Sequence, residues 1–131
     1  MPEPSRAFVL LEHTTGNDRH WDLMLDTGER LATWRLLEDP HLLAGPAVLD
    51  GLRARRIGDH RRAYLDYEGP VSGNRGTVAR VDRGTYAALQ EQPDYWVVIL
   101  AGTLLSGRFR LVLDPTFGTS GDQWILQRFG A

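Results

Sequence analysis

The stretch "HWDLML", His20 to Leu25, decides the fold because its polar and apolar residues alternate in a way typical of a β-strand. Successive side chains of a strand point to opposite faces of the sheet. One face carries Trp21, Leu23 and Leu25. The other carries His20, Asp22 and Met24. The first face is an ordinary core stripe, whereas the second places an imidazole beside a carboxylate and therefore indicates a site.

Similar short alternating segments, separated by turn signals, run along the rest of the chain. The candidate strands are Arg6–Glu12, Arg19–Asp26, Arg30–Leu36, Leu52–Ile57, Arg62–Glu68, Gly76–Asp82, Tyr95–Gly102, Gly107–Leu113 and Asp122–Arg128. The "DTGE" sequence between the second and third segments predicts a hairpin. Two short helices are expected, one from Asp39 as N-cap to Gly45 as stop, and one over residues 84–93. The pattern predicts a mainly β fold, a small antiparallel β-barrel of about eight strands with one or two short flanking helices.

Length and composition place the chain among globular proteins. Its 131 residues fit one domain over positions 1–131, with 42% hydrophobic and 24% charged residues. The absence of cysteine excludes disulfides, thiolate metal sites and cysteine nucleophiles. No apolar run approaches the length of a membrane span, and the start "MPEPSRAF" does not read as a signal peptide. We therefore expect a bacterial-type cytoplasmic protein with no membrane partner.

All fifteen basic residues are arginines. Genomic base composition is one explanation, and phosphate binding is the other, because the planar guanidinium matches phosphate oxygens. Five of the arginines surround His60 in "RARRIGDHRR", which is either a phosphate track or a charged strand edge.

Three residues of the first two strands form a candidate metal site. His20 and Asp22 lie two apart on one strand face, and antiparallel pairing with the first strand brings His13 beside His20. Two imidazoles and one carboxylate suit Mn²⁺, Fe²⁺ or Zn²⁺. The alternative is that these are ordinary polar surface residues.

A second constellation lies in "DHRRAYLDYEG". If Arg62–Glu68 is a strand, Arg62, Tyr64, Asp66 and Glu68 share one face, which His60 extends. A histidine and an arginine beside a metal suit phosphoryl chemistry, because the arginine neutralises phosphate oxygens and the imidazole holds the phosphate or donates a proton. Asp66 and Glu68 lie either on a solvated edge or next to the metal as partners of its histidine ligands.

The order of these motifs resembles that of the 3′-phosphoesterase domain of bacterial DNA ligase D. The resemblance runs from Phe8 to Arg128. It is carried by "EH" at Glu12–His13, "HWD" at His20–Asp22, "GDHRRAYLDYEG", "GNRGTVARVDRGTY" and "WILQR".

The resemblance implies a small β-barrel that holds a divalent metal, most commonly Mn²⁺, and a phosphate pocket. Members of the family remove a phosphate or a ribonucleotide from the 3′ end of a primer strand. The implied partners are DNA or DNA/RNA primer-template 3′ ends, with a DNA ligase or polymerase as a further candidate. By motif, His13, His20 and Asp22 correspond to metal ligands, His60 to a phosphate-contacting histidine and Tyr64 to an active-site tyrosine.

Two positions depart from the family pattern. Met24 stands where the family has an arginine two residues after the aspartate, and a thioether does not neutralise a phosphate. The spacing from His13 to His20 is one residue longer than in the family. Among the other arginines, Arg62 is the best substitute, because its predicted face is shared with His60 and Tyr64; Arg61 points the other way and Arg75 lies on a turn.

Three functions therefore stay open. The first is an active metal-dependent phosphoesterase with catalytic residues His60, Tyr64 and Arg62. The second is a catalytically weak or inactive relative that binds metal and nucleic-acid ends as the partner of a ligase. The third is a 2-oxoglutarate-dependent oxygenase with a facial triad, although the position expected for its co-substrate arginine is Pro70.

Overall fold

Nine strands make up most of the structure, a computed structural model that describes residues 6–43, 51–114 and 122–129. The strands are β1 (Arg6–Thr15), β2 (Asp18–Asp26), β3 (Leu31–Leu36), β4 (Leu52–His60), β5 (Gly69–Pro70), β6 (Thr77–Gln92), β7 (Tyr95–Ala101), β8 (Ser106–Leu113) and β9 (Gln123–Arg128). Within these ranges, the helical elements are two four-residue 3₁₀ helices, Pro40–Leu43 and Arg62–Leu65. The mainly β class is therefore confirmed.

Eight of the strands form a closed ring. Their order is β1-β2-β3-β4-β9-β8-β7-β6, every neighbouring pair is antiparallel, and β6 also pairs with β1. The short strand β5 lies outside the ring and pairs with the start of β6. Closure removes the free edges that would otherwise pair with another chain. The ring agrees with the predicted number of about eight strands.

The interior of the ring is an apolar core to which all eight strands contribute. Trp21, Leu23 and Leu25 lie in this core, as the alternation in β2 predicts. Within this core the indole of Trp34 contacts the indoles of Trp96 and Trp124, with centroid distances of 5.1 and 5.7 Å. The opposite face of β2 is therefore the outer face of the ring, where polar groups are available for a site.

The hairpin between β2 and β3 fixes which residues of the two strands face each other. The Thr27 N–H donates to the Arg30 carbonyl at 3.0 Å, and the Gly28 N–H donates to the Asp26 carboxylate at 2.9 Å. Gly28 adopts a φ of 103°, which favours glycine. The predicted hairpin at "DTGE" is confirmed.

The predicted strand over Arg62–Glu68 is wrong. The chain leaves β4 at His60 and turns at once into the 3₁₀ helix Arg62–Leu65, in which the Tyr64 N–H donates to the Arg61 carbonyl. Although its polarity alternates, this segment forms a short helix that covers the outer face of β1. Arg62, Tyr64, Asp66 and Glu68 therefore do not share a strand face.

The predicted helix over residues 84–93 is also wrong, because this stretch continues β6 to Gln92. Alanine, leucine, glutamine and glutamate favour helices, but here β7 pairs with the segment over Thr85–Gln92. Tyr86 is buried in the core and Ala88 packs against it, so the tertiary contacts override the local propensity.

The other predicted helix begins as expected but is short. The Asp39 carboxylate accepts the His41 N–H at 2.9 Å at the start of the 3₁₀ helix Pro40–Leu43, and the expected stop at Gly45 lies outside the described residues. In the described part of the chain, therefore, no helix is longer than one turn. No helix there has the length and apolarity needed to cross a membrane.

Candidate metal centre

His13 and His20 face each other across the first hairpin. The register of β1 and β2 places them directly opposite, with Nδ1 of His13 3.1 Å from Nε2 of His20. Directly opposite residues of an antiparallel pair project from the same face. The predicted pairing of the two histidines is confirmed, and it lies on the outer face of the ring.

Asp22 completes a cluster of three potential ligands. Its side chain is buried, with the residue only 4% exposed, and Oδ2 lies 3.7 Å from Nε2 of His20. The ligand atoms of His13, His20 and Asp22 all lie within 4.8 Å of one another. Two imidazoles and one carboxylate are side chains that ligate divalent cations such as Mn²⁺, Fe²⁺ and Zn²⁺. The chemistry of the three side chains and their proximity make them a candidate ligand set for one such ion.

Hydrogen bonds outside the cluster orient two of the ligands. Nε2 of His13 donates to the Arg75 carbonyl, which only accepts. The lone pair of the neutral ring is therefore on Nδ1, the atom that faces His20. Nε of Arg35 donates to Oδ1 of Asp22 at 3.3 Å, so that Oδ2 remains on the side of the histidines. Contacts of this kind fix the tautomer and orientation of metal ligands.

The Asp22 carboxylate is held in its charged form. Burial alone would raise its pKa, but the interaction with His20 and the positive charge of Arg35 outweigh that effect and lower the pKa below the ordinary value. Because the group is ionised at neutral pH, it is ready to ligate a cation without first losing a proton.

Two members of the cluster, His13 and Asp22, line a cavity of about 120 Å³ on the outer face of the ring. The walls of the cavity include the polar side chains of His13, Asp22, Arg35, His60, Tyr64 and Arg75, together with the apolar Met24, Val71 and Val78. Two imidazoles, two guanidinium groups, a phenol and the Asp22 carboxylate thus line one space. This composition is suited to binding a phosphate.

His60 and Tyr64 lie at the start of the segment that follows β4 and covers the cavity. Nδ1 of His60, the last residue of β4, donates to the Gly58 carbonyl at 3.0 Å, which leaves Nε2 for another partner. The rings of His60 and Tyr64 are in edge contact, with centroids 5.6 Å apart. Both predicted residues therefore line the same cavity as His13 and Asp22.

A comparison with protein families identifies a relationship over most of the chain. The family model described as the DNA ligase D 3′-phosphoesterase domain matches residues 11–113. The chain belongs to the DNA ligase D 3′-phosphoesterase family. The match includes every polar residue that lines the cavity. A comparison with curated proteins gave no match. The family is one of DNA-repair end processing, and its match leaves the oxygenase interpretation without support.

Arg35 is a cavity residue that the sequence analysis missed. Met24, which stands where the sequence resemblance predicts an arginine, is 2% exposed and packs in an apolar cluster with Val9, Leu11 and Val78. On the neighbouring strand, Arg35 pairs directly with Asp22. The hairpin at "DTGE" contains the signal for this pairing, because a four-residue connection between Asp26 and Leu31 places residue 35 opposite residue 22.

Arg62, the arginine predicted to serve the 3′-phosphoesterase site, makes a different interaction. Its Nε and Nη2 donate to the two carboxylate oxygens of Asp26 at 3.0 and 2.9 Å, and it does not line the cavity. The prediction depended on a strand over residues 62–68, which the structure replaces by a 3₁₀ helix. The predicted role of Arg62 therefore loses its structural basis.

Asp66 and Glu68, the two other acidic residues of this segment, do not approach the candidate ligands. Glu68 accepts the backbone N–H of Arg80 at 2.9 Å, and Asp66 is exposed, 3.9 Å from Arg83. They match the solvated-edge interpretation and not that of partners of the metal ligands.

The loop between β5 and β6 brings the Arg75 carbonyl to His13. The Val71 N–H donates to the Gly76 carbonyl at 2.8 Å and closes the loop, while Nε of Arg75 donates to the Ser72 carbonyl at 2.7 Å. Gly76 has a φ of 86°, and a Cβ there would overlap with the backbone of Thr14. The loop therefore reaches β1 closely only because residue 76 has no side chain.

Proposed function

We propose that this protein is a divalent-metal-dependent phosphoesterase that removes a 3′-phosphate or a 3′-terminal ribonucleotide from a DNA strand and leaves a 3′-hydroxyl. The observation that carries the proposal is one cavity. Its walls include His13 and Asp22, two of the three candidate ligands, together with Arg35, His60 and Tyr64. Membership of a 3′-phosphoesterase family supports the choice of substrate.

The metal-binding role falls to Nδ1 of His13, Nε2 of His20 and Oδ2 of Asp22. We propose Mn²⁺ as the resident ion, with Zn²⁺ and Fe²⁺ as alternatives, because two imidazoles and one carboxylate suit all three. Such an ion, when bound, neutralises a phosphoryl oxygen and lowers the pKa of a bound water.

Arg35 takes the role of the phosphate-binding arginine in this proposal. Its Nε is engaged with Asp22, and in the part of the chain that the structure describes its two Nη atoms have no hydrogen-bond partner. Guanidinium donors form strong charge-assisted bonds with phosphate oxygens. Arg35 thus restores next to Asp22 the positive charge that Met24 does not supply.

His60 and Tyr64 complete the phosphate pocket. Because Nδ1 of His60 donates to the Gly58 carbonyl, Nε2 is the atom left to hold a phosphate oxygen or, when protonated, to donate a proton. In the hydrolysis, the water oxygen bonds to phosphorus as the bond from phosphorus to O3′ breaks, and O3′ takes up a proton. The Tyr64 hydroxyl orients the water or the phosphate.

The proposed substrates are DNA or DNA/RNA primer-template 3′ ends. A DNA ligase or polymerase that seals or extends the cleaned end is the proposed partner, since the family is that of a ligase domain. The cytoplasmic location expected from the sequence stays a prediction.

The test is hydrolysis of a primer that bears a 3′-phosphate or a terminal ribonucleotide, in the presence of Mn²⁺. We expect wild-type protein to convert both ends to a 3′-hydroxyl and Arg35→Ala to lower kcat/KM by about 10²–10³-fold, the usual cost of one transition-state donor. Arg35→Lys keeps the charge and should retain part of the rate.

Arg62→Ala is the matched control, because it removes another arginine of the same region. It should lower stability through the loss of its bonds to Asp26 but keep the rate of the folded protein. Full activity of Arg35→Ala, or a selective loss in Arg62→Ala, would overturn the assignment of Arg35.

The alternative function is that of a catalytically weak or inactive relative that binds metal and nucleic-acid ends beside a ligase. Met24 at the position of the family arginine is the observation that favours it. In the same assay this alternative predicts no product with wild-type protein, together with Mn²⁺-dependent binding of the 3′-phosphorylated primer.

A further inference from the structure

A second and larger cavity of about 410 Å³ adjoins the cavity beside His13 and Asp22, which we call the metal cavity. Its walls include Arg61, Tyr64, Tyr67, Pro70 and Val71. Tyr64 and Val71 line both cavities, so the two spaces are neighbours that share walls. Whatever molecule places a phosphate beside Asp22 therefore has its next group within reach of this larger space.

Two tyrosine rings form a corner in the larger cavity. The rings of Tyr64 and Tyr67 have centroids 5.8 Å apart and an angle of 84° between their planes. Tyr67 is 36% exposed, and its hydroxyl donates to the Pro70 carbonyl, which holds the ring in place. A flat molecule entering this corner stacks on one ring and places its edge against the other.

We propose that this cavity binds the base of the terminal nucleoside whose 3′-phosphate lies in the metal cavity. The inference deepens the proposed function and rests on it. Aromatic side chains bind bases by stacking on their π-faces, and the cavity volume lies in the range of small-ligand sites. Arg61 adds a positive charge beside the polyanionic strand.

The chemistry of the walls also determines the specificity. Stacking is tolerant of sequence, because every base has a π-face. The Tyr67 hydroxyl and Ser72 Oγ in the walls are already bonded to Pro70 and Arg75, and the two tyrosine rings with Pro70 and Val71 supply apolar surface. We therefore infer that the site requires a base but discriminates little between the four bases.

The experiment compares two primers that bear a 3′-phosphate, one with a normal terminal nucleoside and one with an abasic terminal residue. Wild-type protein should process the normal primer with a kcat/KM about 10-fold or more above that for the abasic primer, in line with the strength of base–aromatic stacking. Tyr67→Leu should lose this preference, whereas Tyr67→Phe keeps the ring and should retain it.

Binding of a primer that ends in 2-aminopurine 3′-phosphate gives a readout independent of hydrolysis. Stacking on Tyr67 should quench the fluorescence with wild-type protein and with Tyr67→Phe but not with Tyr67→Leu. Quenching without product formation in the first assay would refute the phosphoesterase activity and leave the base site intact. Equal processing of the two primers by active wild-type protein, or a preference or quenching that Tyr67→Leu retains, would overturn the base site.

Discussion

The cavity beside Asp22 has a positive charge from Arg35 of β3, whereas the sequence resemblance predicts an arginine at position 24 of β2. Met24 fills the family position with an apolar side chain in a small cluster on the outer face of the ring, opposite Thr33 of β3. Arg35 lies two residues further along β3 and contacts the carboxylate of Asp22. The arginine that the resemblance predicts would stand two residues after this same aspartate. We therefore propose that Arg35 on β3 serves in place of an arginine at position 24 on β2.

If Arg35 serves in place of an arginine at position 24, then an arginine introduced at position 24 should restore activity to a protein that lacks Arg35. Met24→Arg, introduced into the Arg35→Ala variant with its lowered activity, should raise kcat/KM by about tenfold or more, because position 24 also lines the cavity. The rate of 3′-phosphate release from a primer measures the recovery. Met24→Leu in the same background conserves volume without charge and should recover nothing. A rescue that is absent although circular dichroism shows a folded double variant would contradict this role of Arg35.

At the scale of elements, the loop over residues 71–76 orients His13, one of the three candidate ligands. Its Arg75 carbonyl holds Nε2 of His13, and Gly76 permits the close approach to Thr14 and Thr15 of β1. The Thr15 hydroxyl donates to the same carbonyl at 3.1 Å and reinforces the contact. A shift of this loop therefore moves the partner that fixes the His13 tautomer.

Gly76→Ala should lower Mn²⁺ affinity by about 10–100-fold, the usual cost of losing a partner of a metal ligand. Isothermal titration calorimetry measures the change. Gly73→Ala is the matched control, since Gly73 also has a positive φ of 75° but a Cβ there meets only the Arg75 side chain, at 3.6 Å. Equal losses of affinity in the two variants would mean that backbone strain, and not the contact with β1, accounts for the effect.

Elements also show where sequence reasoning succeeds and fails. Alternation in β2 predicts both the core face and the polar face because one side of the strand is packed and the other is not. The segment over residues 84–92 has helical propensity but forms a strand, since pairing with β7 is a long-range contact that the local sequence does not contain. The strand prediction for residues 62–68 is wrong for the opposite reason. The local pattern there alternates like that of a strand, but the segment forms a one-turn helix and a loop.

At the scale of the whole molecule, the closed ring creates the site. Three strands of its outer face, β1, β2 and β3, supply His13, Asp22 and Arg35, and the segment after β4 covers them with His60 and Tyr64. The proximity of His13, His20 and Asp22 could be predicted, because one hairpin contains all three residues. The assignment of the arginine depended on strand register and on the path of the covering segment, so it could not be read from residue spacing alone.

The central claim is that the ring holds one divalent cation on His13, His20 and Asp22. Its most direct test is calorimetric titration of wild-type protein with Mn²⁺, repeated with His20→Ala and with His41→Ala, which removes an exposed imidazole bonded to Asp39 outside the cavity. We predict one site per chain. His20→Ala should weaken binding by more than the about 10–100-fold cost of losing an outer partner, and His41→Ala should leave it unchanged. No saturable binding by the wild type, or equal affinity in His20→Ala, would contradict the account.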